Sequence, residues 1–333
     1  MAEPRFLVVR LGSLGDIVHT FPAVGAMRES YPRAEIVWVT HPRWKFLVES
    51  SGLASQVKTV ETRSLHSVRE TLGFIRARGW DAAIDYQGLW KSAGLPFLGG
   101  VKRRIGFSWE AIREYGVPVL YTARVRPTSR HIVDQNGELS LQAGARQKVA
   151  NVSLRVLDED VFKVRSILEK QGIDRYIVLS PGGGWRSKCW PAERFGALCA
   201  KIYEDLNLRC VVNYGPGEEY LAEEISRSAG KAEPLRYSGN LGELMALLKN
   251  AAYLVGGDTG PLHLGVALGT PTVALFGPTD PERNGPHGSK DIVLRDPAAV
   301  TSYKRGEQPD ASMMQIRVED VLQAVRQRMV EKK

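Results

Sequence analysis

The sequence predicts an α/β protein of two domains, each built on parallel β-α-β units. Three observations carry that prediction. Short apolar runs at residues 5–10 (RFLVVR), 176–180 (YIVLS) and 253–255 each lead into a glycine-bearing turn and then a helix-period pattern, which is the strand–turn–helix half of a β-α-β unit. The 333 residues suit two ordinary domains better than one very large one. The basic excess is also confined to one half. Residues 1–165 hold 24 Lys/Arg against 16 Asp/Glu, a net +8, whereas residues 166–333 hold 21 of each.

Composition narrows the class. Apolar residues at 43% and charged residues at 25% are those of an ordinary globular protein. No apolar run approaches the ~20 residues of a membrane span, and MAEPRFLVV enters a strand without a signal peptide's apolar stretch. The cysteines, Cys189, Cys199 and Cys210, are odd in number and form no CxxC pair. A reducing cytoplasmic compartment, with no zinc site, is the expectation. The asymmetric charge points to an anionic partner for the first half.

Along the first half, residues 5–10 form a strand and Leu11-Gly12-Ser13-Leu14-Gly15-Asp16 a turn. Ile17, Phe21, Val24 and Met27 then recur at helical spacing, with Asp16 at the helix entrance. Pro22 lies too deep for a first-turn position and bends or breaks that helix. A second strand at 35–40 (EIVWVT) completes the unit. Dinucleotide binding fails here, because the glycines read GSLGD rather than GxGxxG and the second strand ends in Val39-Thr40-His41 with no acid for a ribose. An oxidoreductase is set aside. Asp16 reads either as an N-cap or as a base that a helix N-terminus keeps ionised. Residues 81–85 (DAAID) form another strand, followed by Gln87 and Lys91. Residues 101–115 interleave Lys102, Arg103, Arg104 and Arg113 with Phe107, Trp109 and Tyr115. Such interleaving suits base stacking, but no nucleic-acid signature accompanies it, and no nucleic-acid partner is expected. Most of these arginines read as solvated surface, a few as lining for an acidic acceptor. Residues 158–160 (Asp-Glu-Asp) resemble a metal-binding DxD but open an amphipathic helix, where a first-turn acidic cluster explains them.

In the second half, Gly172-Ile173-Asp174 reads as the linker after that helix. Residues 176–180 start a new sheet. The loop Pro181-Gly182-Gly183-Gly184-Trp185-Arg186-Ser187-Lys188 is not a Walker A loop, since Lys188 precedes Cys189 and the glycine spacing differs. It still suits a phosphate, with a surface lysine as the other reading. A helix is expected over 240–250 and another over 318–329, with coil at 296–312. The most informative stretch is 253–288, where strand, Gly256-Gly257-Asp258-Thr259-Gly260 turn, helix and second strand (272–276) follow in order. Pro261 marks the helix start and Gly269 its end. Backbone N–H groups of Thr259 and Gly260, the Thr259 hydroxyl and the helix macrodipole would converge on a phosphate; a glycine turn with a Thr or Asp cap is the alternative. His263 could add a donor.

Taken together, residues 11–23 (LGSLGDIVHTFPA), Gln87-Gly88-Leu89 with Lys91, Lys188-Cys189-Trp190-Pro191, Gly257-Asp258-Thr259-Gly260 with Leu262-His263-Leu264, and Gly277-Pro278-Thr279-Asp280-Pro281 resemble the heptosyltransferases of lipopolysaccharide core synthesis. These are inverting glycosyltransferases of GT-B architecture, two Rossmann-like domains facing across a cleft. GDIVHTFPA, RIGFSWEAIRE and HIVDQN point to the subgroup that acts on Kdo-lipid A. The resemblance implies an N-terminal acceptor-binding domain over 1–165 and a C-terminal nucleotide-sugar domain over 166–333, with a terminal helix that can pack back on the first. It implies Asp16 as catalytic base and Lys188, Glu243, Asp258, Thr259, Gly260 and His263 as donor-binding residues, with helix capping the other reading of Glu243. Acceptor contacts would come from Gly15, His19, Gln87, Lys91, Arg63, Arg104 and Arg113. The arginines after the third strand, Arg63, Arg69, Arg76 and Arg78, are dispersed rather than clustered. No metal or cofactor is expected. The implied partners are an ADP-sugar and an anionic lipid-linked oligosaccharide, met by a monomer at the cytoplasmic face of the inner membrane. Competing readings are a relative with another donor or acceptor, a GT-B-fold sugar-nucleotide epimerase, and a non-catalytic nucleotide-binding module.

Overall fold

The computed structural model describes residues 3–288 and 291–330. The chain divides into two compact units, one ending at Arg155 and the other starting at Val156. In the first, the order is β1 (Arg5–Val9), α1 (Leu14–Val18), α2 (Phe21–Ser30), β2 (Glu35–Thr40), α3 (Lys45–Ser50), β3 (Gln56–Thr59), α4 (Leu65–Arg76), β4 (Ala82–Asp85), α5 (Trp90–Leu98), β5 (Arg104–Phe107), β6 (Ala123–Val125) and α6 (Ile132–Ala143). The strands pair in parallel in the order β3-β2-β1-β4-β5-β6. Because crossover helices cover both faces, the central strands read as continuous apolar runs. Phe6, Leu7, Val8 and Val9 of β1 and Ile36, Val37, Trp38 and Val39 of β2 are all buried.

The expected break near Pro22 occurs earlier. The helix ends at Val18, and Pro22 falls in the first turn of α2, where its missing N–H costs nothing. The break leaves α1 a single-turn helix that carries Asp16 at its third position.

The second unit runs α7 (Asp158–Lys170), β7 (Tyr176–Ser180), α8 (Ala192–Leu206), β8 (Arg209–Asn213), α9 (Glu219–Ala229), β9 (Leu235–Tyr237), α10 (Leu241–Asn250), β10 (Tyr253–Gly257), α11 (Gly260–Ala267), β11 (Thr272–Phe276), α12 (Pro281–Asn284), β12 (Ile292–Arg295), α13 (Ala311–Gln315) and α14 (Val318–Val330). Its parallel order is β12-β11-β10-β7-β8-β9. Numbered within the unit, both sheets have the order 3-2-1-4-5-6 of a Rossmann fold.

The boundary expected at 165/166 is corrected by this division, since it would cut α7. That helix packs on α10, so it belongs to the second unit. Gly172-Ile173-Asp174 is therefore a turn inside the unit, with Ile173 buried. Helix α14 packs against α8, and Val321, Leu322, Ala324 and Val325 join the core that contains Phe195, Leu198 and Trp190. The segment expected as coil over 296–312 gives way to α13 at Ala311. Among the described residues no helix is long and apolar enough to cross a membrane.

Candidate functional site

In an open α/β sheet the strand order reverses at one point, and ligands bind outside the carboxyl ends of the strands there. In the first unit that point lies between β1 and β4, and in the second between β7 and β10. The expected base and the expected phosphate turn each occupy one of these places.

At the first, Arg10 follows the last residue of β1 and projects to Asp16. Its Nη2 lies 2.6 Å from Asp16 Oδ1. Asp16 Oδ2 accepts bonds from the Ser13 backbone N–H at 3.0 Å and the Ser13 hydroxyl at 2.9 Å. Burial pushes the Asp16 carboxyl up, but the Arg10 guanidinium and the two Ser13 bonds outweigh it, and nearby His19 adds to them, so it falls to about 2. A carboxylate has about four acceptor positions, and three are filled here. With 44% of its side chain exposed, Asp16 is held, ionised and still open to an incoming hydroxyl. Gly15 and His19 are buried beside it.

Arg10 is fixed in turn. Its Nη1 donates to the Tyr86 carbonyl in the loop after β4. That loop is organised by Asp85, the last residue of β4. Its buried carboxylate accepts from the backbone N–H of Gln87 (2.9 Å) and Gly88, and from the hydroxyls of Ser92 (2.9 Å) and Tyr121 (2.7 Å). Burial raises the Asp85 carboxyl above its ordinary value despite these bonds. Gln87 Oε1 then accepts the Leu11 N–H at 2.7 Å, tying the two loops together. Gln87 thus serves the scaffold through this oxygen. Sequence reasoning missed Arg10 and Asp85. The signal for both was available, because each is a charge that ends an otherwise apolar strand.

The expected acceptor arginines do not gather into one cluster. Arg104 has its guanidinium engaged within the unit: its Nε donates to the Leu120 carbonyl at 2.6 Å, and Nη1 to the carbonyls of Val101 and Lys102. Its guanidinium braces β5 against the following turn. Arg63 is exposed on the loop after β3, while Lys91 and Arg113 are exposed after β4 and β5, beside Trp90 and near Tyr115.

At the second point, Thr259 takes the N-cap position of α11, and Pro261 lies in its first turn. Its hydroxyl makes no capping bond; it is buried without a hydrogen-bond partner. Plain helix capping therefore does not account for Thr259, and an orphaned buried hydroxyl of this kind calls for an acceptor. Lys188, ending the short 3₁₀ turn Arg186–Lys188, donates from Nζ to the Asp258 carbonyl and stands 3.8 Å from the Asp258 carboxylate. His263 Nε2 meets Asp258 Oδ1 at 2.9 Å. Burial pushes the Asp258 carboxyl up, yet the His263 bond and charge and the Lys188 charge hold it below the ordinary carboxylate range. Gly183 lets the two loops close on each other. A Cβ there would stand 3.0 Å from Cys189 Sγ and 3.1 Å from Thr259 Cγ2.

Lys188, Asp258, Thr259, Gly260 and His263 thus converge, with a lysine, a free hydroxyl and the positive end of α11 in one place. Glu243 sits elsewhere. It is the third residue of α10, at the β9 end of the same sheet edge, where its carboxylate accepts from Lys163 Nζ, the Tyr237 hydroxyl (3.0 Å) and Asn240 Nδ2 (3.0 Å).

Residues 68–312 match the family model of glycosyltransferase family 9 (heptosyltransferase). Among curated relatives, "Lipopolysaccharide heptosyltransferase 1" of Escherichia coli K12 is 28% identical over 315 residues, covering 88% of this chain and 94% of the relative. Among solved structures, a glycosyl transferase family 9 protein from Veillonella parvula superposes with a TM-score of 0.85 at 23% identity, covering 99% of this chain and 98% of its own. The E. coli heptosyltransferase WaaC with ADP gives a TM-score of 0.75 at 24% identity, with 98% of each chain covered.

Proposed function

Since the chain belongs to glycosyltransferase family 9, we propose that it moves a heptose from ADP-heptose to an anionic, lipid-linked acceptor of the lipopolysaccharide inner core. The second unit holds the nucleoside diphosphate. The Lys188 ammonium, the Thr259 hydroxyl and the α11 N-terminus meet the charge that develops on the departing diphosphate, the kind of preorganised electrostatics that carries much of catalysis. Lys188 need not be recruited from solvent, because Asp258 already holds it in place. The first unit supplies the base. Asp16 takes the acceptor hydroxyl proton as that oxygen forms its bond to the anomeric carbon, and the carbon–oxygen bond to ADP breaks on the opposite face, inverting the centre. Two similarities support the donor and acceptor: a relative named as a lipopolysaccharide heptosyltransferase and a similar structure holding ADP.

An anionic Kdo-lipid A type acceptor fits the charge. The first unit, residues 1–155, carries 22 Lys/Arg against 13 Asp/Glu, a net +9. Arg63 is the candidate for acceptor phosphates, and a lipid-linked acceptor brings the enzyme to the inner membrane's cytoplasmic face.

The observation that carries this reading is the buried, unpartnered Thr259 hydroxyl beside Lys188. Calorimetric titration with ADP, UDP and GDP tests it. ADP should bind best, and Lys188→Ala should weaken it by roughly 10–100-fold, the worth of a charge-assisted hydrogen bond. Preference for UDP or GDP would overturn the donor, and unchanged affinity in the variant would overturn the role of Lys188.

A further inference from the structure

Six of the eight large apolar side chains exposed among the described residues of the first unit fall between residues 90 and 119. Within 86–130 there are eight Lys/Arg and two Asp/Glu. Of the apolar side chains, Trp90, Trp109 and Tyr115 lie exposed in the connections that follow β4 and β5, together with Lys91 and Arg113. Their packing shows a built patch. The Trp109 and Tyr115 rings meet at a tilt of 53°, centroids 5.5 Å apart, although 40% of Trp109 and 90% of Tyr115 face solvent. Trp90, 49% exposed, lies over Gly116, where a Cβ would stand 2.8 Å from its ring. Gly116 has φ +92°, a left-handed conformation that glycine alone adopts freely, and it lets the turn after Tyr115 pass against the Trp90 ring. Val119 is exposed in the turn that follows. Both acids are engaged: Glu114 accepts the Trp90 backbone N–H at 2.7 Å, and Glu110 the Ser108 hydroxyl at 2.7 Å. Lys91 and Arg113, both exposed, flank the aromatics.

We propose that this surface, Trp90, Trp109, Tyr115 and Val119 with Lys91 and Arg113, docks the enzyme on an anionic lipid surface. Tryptophan and tyrosine settle at the headgroup level, where one end of the ring is wet and the other apolar. Neighbouring cations add attraction to anionic headgroups, felt within a Debye length. The loops that build the patch follow β4 and β5, so it lies on the same sheet edge as Asp16. Docking would present a lipid-linked hydroxyl to the edge that carries the base. The inference deepens the lipid-linked acceptor reading and rests on it.

The full chain is to be floated with vesicles of phosphatidylcholine alone and of equal parts phosphatidylcholine and phosphatidylglycerol. Mixed vesicles should bind at least about tenfold more tightly, since each cation near the surface contributes about fivefold. The double variant Trp109→Ala/Tyr115→Ser should lose about tenfold or more on mixed vesicles while ADP affinity, measured by calorimetry, stays unchanged. Arg113→Glu, a surface change that guards against misfolding of the double variant, should weaken only the anionic-vesicle binding, by at least about fivefold. Equal binding to both vesicles, no binding to either, or wild-type binding in the double variant would each overturn the proposal. So would binding of a random oligonucleotide, lost in the double variant, with vesicles ignored. Vesicle docking without any ADP binding would leave this surface standing and remove the transferase reading instead.

Discussion

Asp16 and Asp258 are the same residue type in the same topological place, just beyond a central strand at the reversal of a Rossmann sheet. Both are held ionised, Asp16 at about 2 and Asp258 below the ordinary range. Their surroundings divide them. Asp258 is enclosed, 9% exposed, between His263 on one oxygen and Lys188 near the other. Asp16 keeps 44% of its side chain in solvent. An enclosed carboxylate bound by two cationic or donor side chains is a scaffold, whereas an anchored but open one can take a proton. Position in the fold delivers a carboxylate to the ligand edge, and the neighbours decide what it does there.

Removing the open carboxylate should show the largest effect. Asp16→Asn keeps the shape and the Ser13 contacts but cannot accept the proton, so turnover should fall on the order of 10²–10⁴ with ADP affinity intact. A loss under tenfold in a folded variant would break the comparison. The enclosed carboxylate should fail differently. Asp258→Ala strips a partner from a buried ion pair, which costs about 3–5 kcal/mol, and it releases Lys188. A urea melt should show that destabilisation, with weakened ADP binding alongside. An Asp258 variant with native stability but dead turnover would instead give it a part in the chemistry.

The fold was legible because apolar runs bounded by glycine turns mark buried parallel strands, and every such run quoted from the sequence became a strand. The unit boundary was not, because an amphipathic helix such as α7 does not announce which sheet it covers; only its packing on α10 decides that. At the candidate site, the local pattern of two loops pointed to Lys188, Thr259 and His263, and the family resemblance added Asp258; the structure brings the four together. Arg10 was missed because its value lies in a neighbour across the turn and a carbonyl 76 residues away. Arg104 shows the opposite case: an arginine among aromatics looks available in sequence, while carbonyls of residues 101, 102 and 120 engage its guanidinium.

Arg10 offers a sharper test of how neighbours set a carboxylate. The sign follows from the causes: burial raises Asp16, and Arg10 is the largest of the influences that lower it. Arg10→Gln should therefore move the Asp16 carboxyl upward from about 2, so the acidic limb of the pH–rate profile shifts to higher pH. The same shift bears on stability. With its folded value depressed below the ordinary 3.8, Asp16 stabilises the native chain above that pH, and the contribution disappears as pH falls toward about 2. The variant should lose that part of its acid resistance. An unmoved acidic limb would mean that the Ser13 bonds alone fix Asp16.

The smallest expected effect concerns the Thr259 hydroxyl, a buried polar atom of the second site without a hydrogen-bond partner. Thr259→Val preserves shape and removes a buried hydroxyl that lacks a partner. Stability should hold or rise slightly, because the folded chain no longer buries an unmet polar group. ADP affinity should fall about 2–10-fold, the worth of a neutral hydrogen bond. The opposite signs are the point, since a hydroxyl kept for folding would lose stability on removal and leave ADP binding alone. Urea melts and calorimetry on the same preparation separate the two, and only a stable variant with weakened ADP binding fits a hydroxyl held in reserve for a phosphate.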